Sequence, residues 1–187
     1  MRIYGDFEFT GLHPETDFIS GGFIDEQGRK FYAEVTPAPS AKYAHDQKWL
    51  DEHVIPFLLF QRGVPIYQVR GQATYVSGTI EEIAAALTQW LRPYGTVHFW
   101  SDCLTYDWIV LAHRLFDGVL PPNVYYLPFD IFPLFDAVGV DPDVTREEFA
   151  GMTGGAKHNA LWDAEVIRAC HNILIKLHES AGLKSFL

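Results

Sequence analysis

The sequence is poor in basic residues, in cysteine and in uninterrupted apolar runs, and each shortage removes a class of function. Fourteen Lys and Arg stand against 24 Asp and Glu, a formal net charge of −10 with histidine neutral. A surface of that sign has little general attraction for a polyanion, which argues against a grip on long duplex through phosphate contacts alone, and any nucleic-acid contact is expected to be local. Two cysteines, Cys103 and Cys170, are too few for a disulfide framework. They are expected as free buried thiols in a reducing, cytoplasmic setting. The longest apolar run, Val54 to Phe60, is broken by Pro56, and Arg2 brings a charge too early for a signal peptide. No membrane span or targeting segment is therefore expected. Internal repeats, low-complexity tracts and long Gly/Ser linkers are missing as well.

What is present is a chain of 187 residues, 48% hydrophobic and 20% charged. That is enough apolar surface for one well-buried core, and a single domain over residues 1–187 is expected. Residues 2–9, 18–24 and 30–36 are rich in β-formers, with Gly28 as a turn between the latter two, and predict a three-stranded meander. Within 45–59, helical spacing of Trp49, Leu50, Val54 and Phe57 predicts a helix that stops around Pro56. Thr79 with Glu81 and Glu82 opens another over 79–91. Between them, 61–78 carries Gly63, Pro65, Gly71 and Gly78 and reads as an irregular connection. Further on, a buried strand over 96–101 feeds a helix over 106–116. A strand over 123–127, a short helix over 130–138 and a long terminal helix over 163–179 follow. The Gly- and Pro-rich stretch 139–160 reads as a mobile loop able to carry a functional residue. The order of elements predicts an α/β sheet, antiparallel at its start and parallel afterwards.

Asp6 and Glu8 lie two apart on the first strand, so both carboxylates leave one face while Phe7 and Phe9 leave the other. Converging like charges need a partner, and a divalent cation with oxygen ligands is a common one. Taken alone, the pair also fits a solvated edge strand. Asp107 opens the helix after the 96–101 strand, a junction where sites form in open α/β sheets. It could reach a metal held by Asp6 and Glu8, or simply complement the helix dipole. Asp102, at the strand end, competes for either role. The most specific local signal is Lys157-His158-Asn159-Ala160-Leu161-Trp162-Asp163, in which a Gly-rich loop delivers a histidine five residues before an aspartate at the start of the last helix.

Asp6-Phe7-Glu8-Phe9-Thr10-Gly11-Leu12, Tyr106-Asp107 and His158 to Asp163 together resemble the three motifs of the DnaQ-like, DEDDh-type 3′-to-5′ exonucleases. The likeness spans most of the chain. Residues 51–58 (DEHVIPFL), 100–108 (WSDCLTYDW), Leu120-Pro121-Pro122 and the short length most resemble the compact exoribonucleases typified by mycobacterial ribonuclease AS. The resemblance implies a ribonuclease H-like fold, a central mixed sheet of five main strands flanked by helices. It implies that Asp6, Glu8, Asp107 and Asp163 bind two Mg²⁺ or Mn²⁺ ions and that His158 is the general base. It places the terminal nucleotide at Phe9, Thr10, Gly11 and Leu12, and it implies release of nucleoside 5′-monophosphates from a single-stranded 3′ end, RNA favoured over DNA. Compact relatives are often dimers, so a homodimer is an expected possibility. The second motif departs from the usual pattern, reading Asp102-Cys103-Leu104-Thr105-Tyr106-Asp107 with an extra acid.

Rival readings are a non-catalytic nucleic-acid-binding module of the same fold, and another ribonuclease H-like nuclease such as an endonuclease. A zinc hydrolase is disfavoured because His45, His53, His98, His113, His171 and His178 form no compact ligand pattern and read as solvated or capping. Lys42, Lys48, Arg62, Arg70, Arg146 and Lys157 are the candidates for phosphate contacts.

Overall fold

The computed structural model describes residues 1–60 and 66–182. The opening meander forms as expected from β1 (Arg2–Phe9), β2 (Phe18–Asp25) and β3 (Lys30–Val35), paired antiparallel. Odd positions of β1 turn to one core: Phe7 lies 5.3 Å from Phe23 and 6.1 Å from Phe99 between ring centroids. Even positions turn to the opposite face, where Tyr4 is buried.

The first helix, α1 (Ala44–His53), stops before Val54, and Ile55–Phe57 form a separate 3₁₀ turn. The helix ends ahead of Pro56, near where it was expected to stop, because Pro56 lacks the N–H that would continue it. The larger correction concerns 61–78. Instead of an irregular connection, β4 (Ile66–Arg70) and β5 (Ala73–Gly78) make an antiparallel hairpin whose turn holds Gly71 at φ +60°. The hairpin was hidden because β4 is an edge strand that buries little: Tyr67 and Val69 are exposed. Gly63 and Pro65 lie outside the described residues.

α2 (Ile80–Leu91) begins as predicted, with Thr79 and Glu82 capping each other's backbone N–H groups. β6 (His98–Ser101) leads into α3 (Leu104–Ile109), which widens into a π turn over Val110–Leu115. β7 (Phe129–Asp130), α4 (Phe132–Ala137), α5 (Arg146–Ala150) and α6 (Ala160–Ser180) complete the order. The strand expected over 123–127 reduces to one bridge between Val97 and Val124, and the ladder resumes two residues long at Phe129. Pro128, without an N–H, separates the two pieces.

The sheet has seven strands rather than five, in the order β4-β5-β3-β2-β1-β6-β7. β5 lies parallel to β3, and β6 parallel to β1 and β7; the other pairs are antiparallel. α2 covers one face, with Ile83, Leu87 and Trp90 on Phe7, Phe23 and Phe31. α6 covers the other, with Ile167, Cys170 and Leu174 on Tyr4, Ile24 and Trp100. Of the two free thiols, Cys170 is buried as expected, whereas Cys103 is exposed just before α3. His171 and His178 are buried rather than solvated. Burial pushes His171 down to about 4, so it stays neutral, hydrogen-bonded through Nδ1 to the Tyr4 hydroxyl at 2.9 Å. Among the described residues no helix is long and apolar enough to cross a membrane.

Candidate active site

Asp6 and Glu8 stand on the α6 side of β1, opposite Gly22 and Ser20 of β2. What brings the far end of the sequence to them is the absence of a side chain. A Cβ at Gly22 would lie 2.3 Å from the backbone of Ala160 and Leu161, so only glycine lets the first turn of α6 rest on the strand beside Asp6. That close approach delivers Asp163.

The start of α6 is set by Asn159, whose Oδ1 accepts the Trp162 N–H at 3.2 Å while its Nδ2 donates to the Phe57 carbonyl at 3.0 Å. The helix thus begins at residue 160, earlier than the expected 163. His158, just before the cap, adopts φ +66°, a left-handed conformation that costs a non-glycine residue about 1–2 kcal/mol. Its N–H donates to Asp163 Oδ2 at 2.8 Å, which holds the turn. Its Nδ1 stands 3.7 Å from Glu8 Oε1, and its ring meets Trp49 edge-on at 5.0 Å. Trp49 in turn stacks on His53 at 5.2 Å. Trp49 is 43% exposed and lines the cleft. Buried Glu34 accepts the Phe60 N–H at 3.0 Å and, with Asn159, ties the segment after α1 in place.

Asp102 and Asp107 find different partners in the structure. Asp107 is 2% exposed and accepts a hydrogen bond from the Ser101 hydroxyl. Asp102 takes the Arg146 Nε–H on both oxygens, at 2.9 and 2.8 Å. Arg146 also donates to the carbonyls of Pro142 and Val144 and lies 4.2 Å above the Phe135 ring. Stretch 139–160, expected as an open loop, is therefore held to the second motif and carries α5.

Burial raises all four carboxylates above their ordinary range. Asp6 is pushed well up by burial and then by Asp107, Asp163 and Glu8. Burial also lifts Asp107 to about 8 and Asp163 to about 7, with Glu8 adding to both. Glu8 rises through burial, opposed by its contact with His158, and the same contact raises His158. No Lys or Arg hydrogen-bonds any of the four among the described residues, so the cluster must carry protons or be offset by bound cations. Glu8, His158 and Asp163 offer ligand atoms within 4.8 Å of one another. Hard carboxylate oxygens in that arrangement suit a divalent ion of the Mg²⁺ or Mn²⁺ kind.

Asp6, Glu8, Asp107, His158 and Asp163 all line one cleft of about 990 Å³. Phe9, Thr10, Gly11 and Leu12 line it too. Phe9 stacks on Tyr106 at 5.6 Å, and Leu12 is 70% exposed. Thr10 is buried and its hydroxyl accepts the Asp17 N–H at 2.8 Å, so its side chain fastens the loop. Gly11 sits at φ +146°, and a Cβ there would lie 2.7 Å from Asp46 on α1; glycine keeps loop and helix in contact. Trp49, His53 and Gly22 are the contributors that the motifs did not reveal, and of these only the Gly21-Gly22 pair inside a strand carries a sequence signal.

No protein-family model matches this chain, and no curated protein matches it. Among solved structures it is similar to the catalytic unit of Pan2 from Neurospora crassa, described as its protease and nuclease domain, with a TM-score of 0.52 and 15% identity. The alignment covers 97% of this chain and 28% of that one, so this chain spans less than a third of its neighbour's length. The likeness is one of fold, and the mixed α/β arrangement is ribonuclease H-like.

Proposed function

We propose that the protein is a metal-dependent 3′-to-5′ exonuclease that removes nucleoside 5′-monophosphates from single-stranded nucleic acid, RNA in preference to DNA. The observation that carries this reading is the meeting of Asp6, Glu8, Asp107, Asp163 and His158 in one cleft, from three separate stretches of sequence. Preference for RNA rests on the resemblance of the motifs alone.

Asp6, Glu8, Asp107 and Asp163 would hold two divalent ions, which supply the charge neutralisation and Lewis acidity that phosphodiester hydrolysis needs. Ser101 fixes the Asp107 carboxylate by its hydroxyl, and the His158 N–H fixes that of Asp163. His158 acts as the general base that takes a proton from the attacking water. The wall of Phe9, Gly11 and Leu12 seats the terminal nucleoside, so that the last phosphodiester lies over the carboxylates.

A circular single strand, a 3′-phosphorylated strand and a 3′-hydroxyl strand, each incubated with Mg²⁺ and with EDTA, test the reading. Only the 3′-hydroxyl strand should be degraded, one nucleotide at a time, and only with metal. Efficient cutting of the circle would make the protein an endonuclease, and no hydrolysis of any strand would leave a binding module.

The two acids of the second motif should separate in the same assay. Asp107→Asn is expected to be far the more damaging to turnover. Asp102→Asn should register mainly in stability, losing about 2 kcal/mol with the charged hydrogen bonds to Arg146, read as a lower denaturation midpoint. The reverse ranking would move the ligand role to Asp102.

A further inference from the structure

A second groove, of about 320 Å³, adjoins the cleft and is lined by Thr145, Glu147, Met152, Thr153, Gly154, Gly155, Lys157 and Trp162. Thr145, Glu147 and Lys157 line both openings, so they form a shared ridge; none of Phe9 to Leu12 reaches the groove. We infer that this groove is a binding site for the single strand on the 5′ side of the bond being cut, with a phosphate on Lys157 and a base against Trp162. The inference rests on the exonuclease reading and adds a subsite to it.

Three observations lead there. The first is elimination among the cations. Lys42 pairs with Glu15, Lys48 with Glu52 and Arg146 with Asp102. Arg70 is turned to Gln68 and Tyr75, and Arg62 lies outside the described residues. Among the described residues Lys157 and Arg70 are the members of the set that are exposed with no acidic partner within ion-pair distance, and of the two only Lys157 lines the cleft of the carboxylates, in a chain of net charge −10. An unneutralised cation at that place is suited to a phosphate.

The second is the groove's floor. Met152 and Trp162 are partly buried apolar side chains packed on the α6 core, yet both face this opening. A Cβ at Gly155 would lie 2.0 Å from the indole, so the glycine lets the loop backbone pack against one side of Trp162 and holds the ring in place. An aromatic and a thioether beneath a slot of this size suit the flat, apolar face of a base. The third is charge order: the Glu147 carboxylate on the ridge repels phosphate, which leaves Lys157 as the place for the backbone and the floor for the base. Cleavage of the last phosphodiester needs the terminal nucleoside on Phe9 to Leu12, so the remaining strand must leave by another opening, and this groove is contiguous with the cleft.

The experiment compares a dinucleotide with a decanucleotide, both single-stranded RNA with a 3′-hydroxyl and a 5′ fluorescein. Binding is read by anisotropy in EDTA, and degradation is read separately in Mg²⁺. The full-length protein should bind the decamer at least tenfold more tightly than the dimer. Lys157→Ala, an exposed position that the fold tolerates, should reduce that ratio about tenfold, and Trp162→Leu should reduce it similarly. An unchanged ratio in Lys157→Ala overturns the groove, as does an equal weakening of dimer and decamer, which would place Lys157 at the catalytic centre only. Length-dependent binding that needs Lys157, without degradation in Mg²⁺, would keep the groove and refute the exonuclease. Degradation with no length dependence would do the opposite.

Discussion

Asp6→Asn is expected to lower metal-dependent turnover on the order of 10⁴-fold, the scale seen when one member of a unit that acts together is removed. Asp6 stands between the two halves of the site: its charge is felt with those of Asp107, Asp163 and Glu8, so losing it disturbs every ligand set that the cluster can form. The same change should stabilise the metal-free protein at alkaline pH. The folded protein holds protons on Asp107 and Asp163 up to about 8 and about 7, whereas the unfolded chain releases them near 4. Between those limits the folded state binds more protons, so its stability falls as pH rises. Asp6→Asn removes one contributor to that fall, and Mg²⁺ should offset it in the native sequence. Release of nucleoside monophosphate measures the first effect, and thermal unfolding in EDTA between pH 5 and 8 measures the second. Turnover above a tenth of the native value, or a native stability that rises across that range, would refute the cluster as drawn.

His158→Ala should cost about 10²–10⁴-fold in turnover, the range for loss of a general base, while Mn²⁺ binding is nearly retained. His158 approaches Glu8 through Nδ1 at 3.7 Å, longer than a firm hydrogen bond, and its ring is steadied by Trp49. Those contacts suit a residue that takes a proton better than one that anchors an ion. Because φ is +66° at this position, alanine also adds backbone strain. His158→Asn, which tolerates that conformation, separates the loss of imidazole from the distortion of the turn. Calorimetry decides between the roles: much weaker Mn²⁺ binding in both variants would make His158 a ligand.

Much of this site was legible because its chemistry is written in short local patterns. Asp6 and Glu8 share a strand face by the period of two, and His158 and Asp163 fall on either side of a helix start. What stayed hidden depends on contacts between distant segments. Asp102 and Asp107 are equally acidic neighbours in sequence, and only the position of Arg146, brought in by α5, gives them different partners. Trp49 sits at the spacing of a buried helix face yet borders the cleft, since α1 packs through Leu50, beside Val54 just past its end. The fold shows the same division. Strands with strong apolar alternation were visible; β4 and β7 were not, because one is exposed and the other is two residues long.

The contact of Gly22 with Ala160 and Leu161 bears on when the protein acquires its chemistry. The first strand and the last helix are joined by most of the chain, and a closure of that span is slow compared with the formation of the β1–β2 hairpin or of α6 itself. Asp6 and Glu8 can be in place on a finished hairpin while Asp163 and His158 are still undocked. During synthesis the carboxylates of β1 therefore emerge long before their counterparts, and the emerging chain holds only part of the cluster. Docking of α6 turns that silent precursor into the assembled cleft, so assembly of the site itself reports completion of the fold.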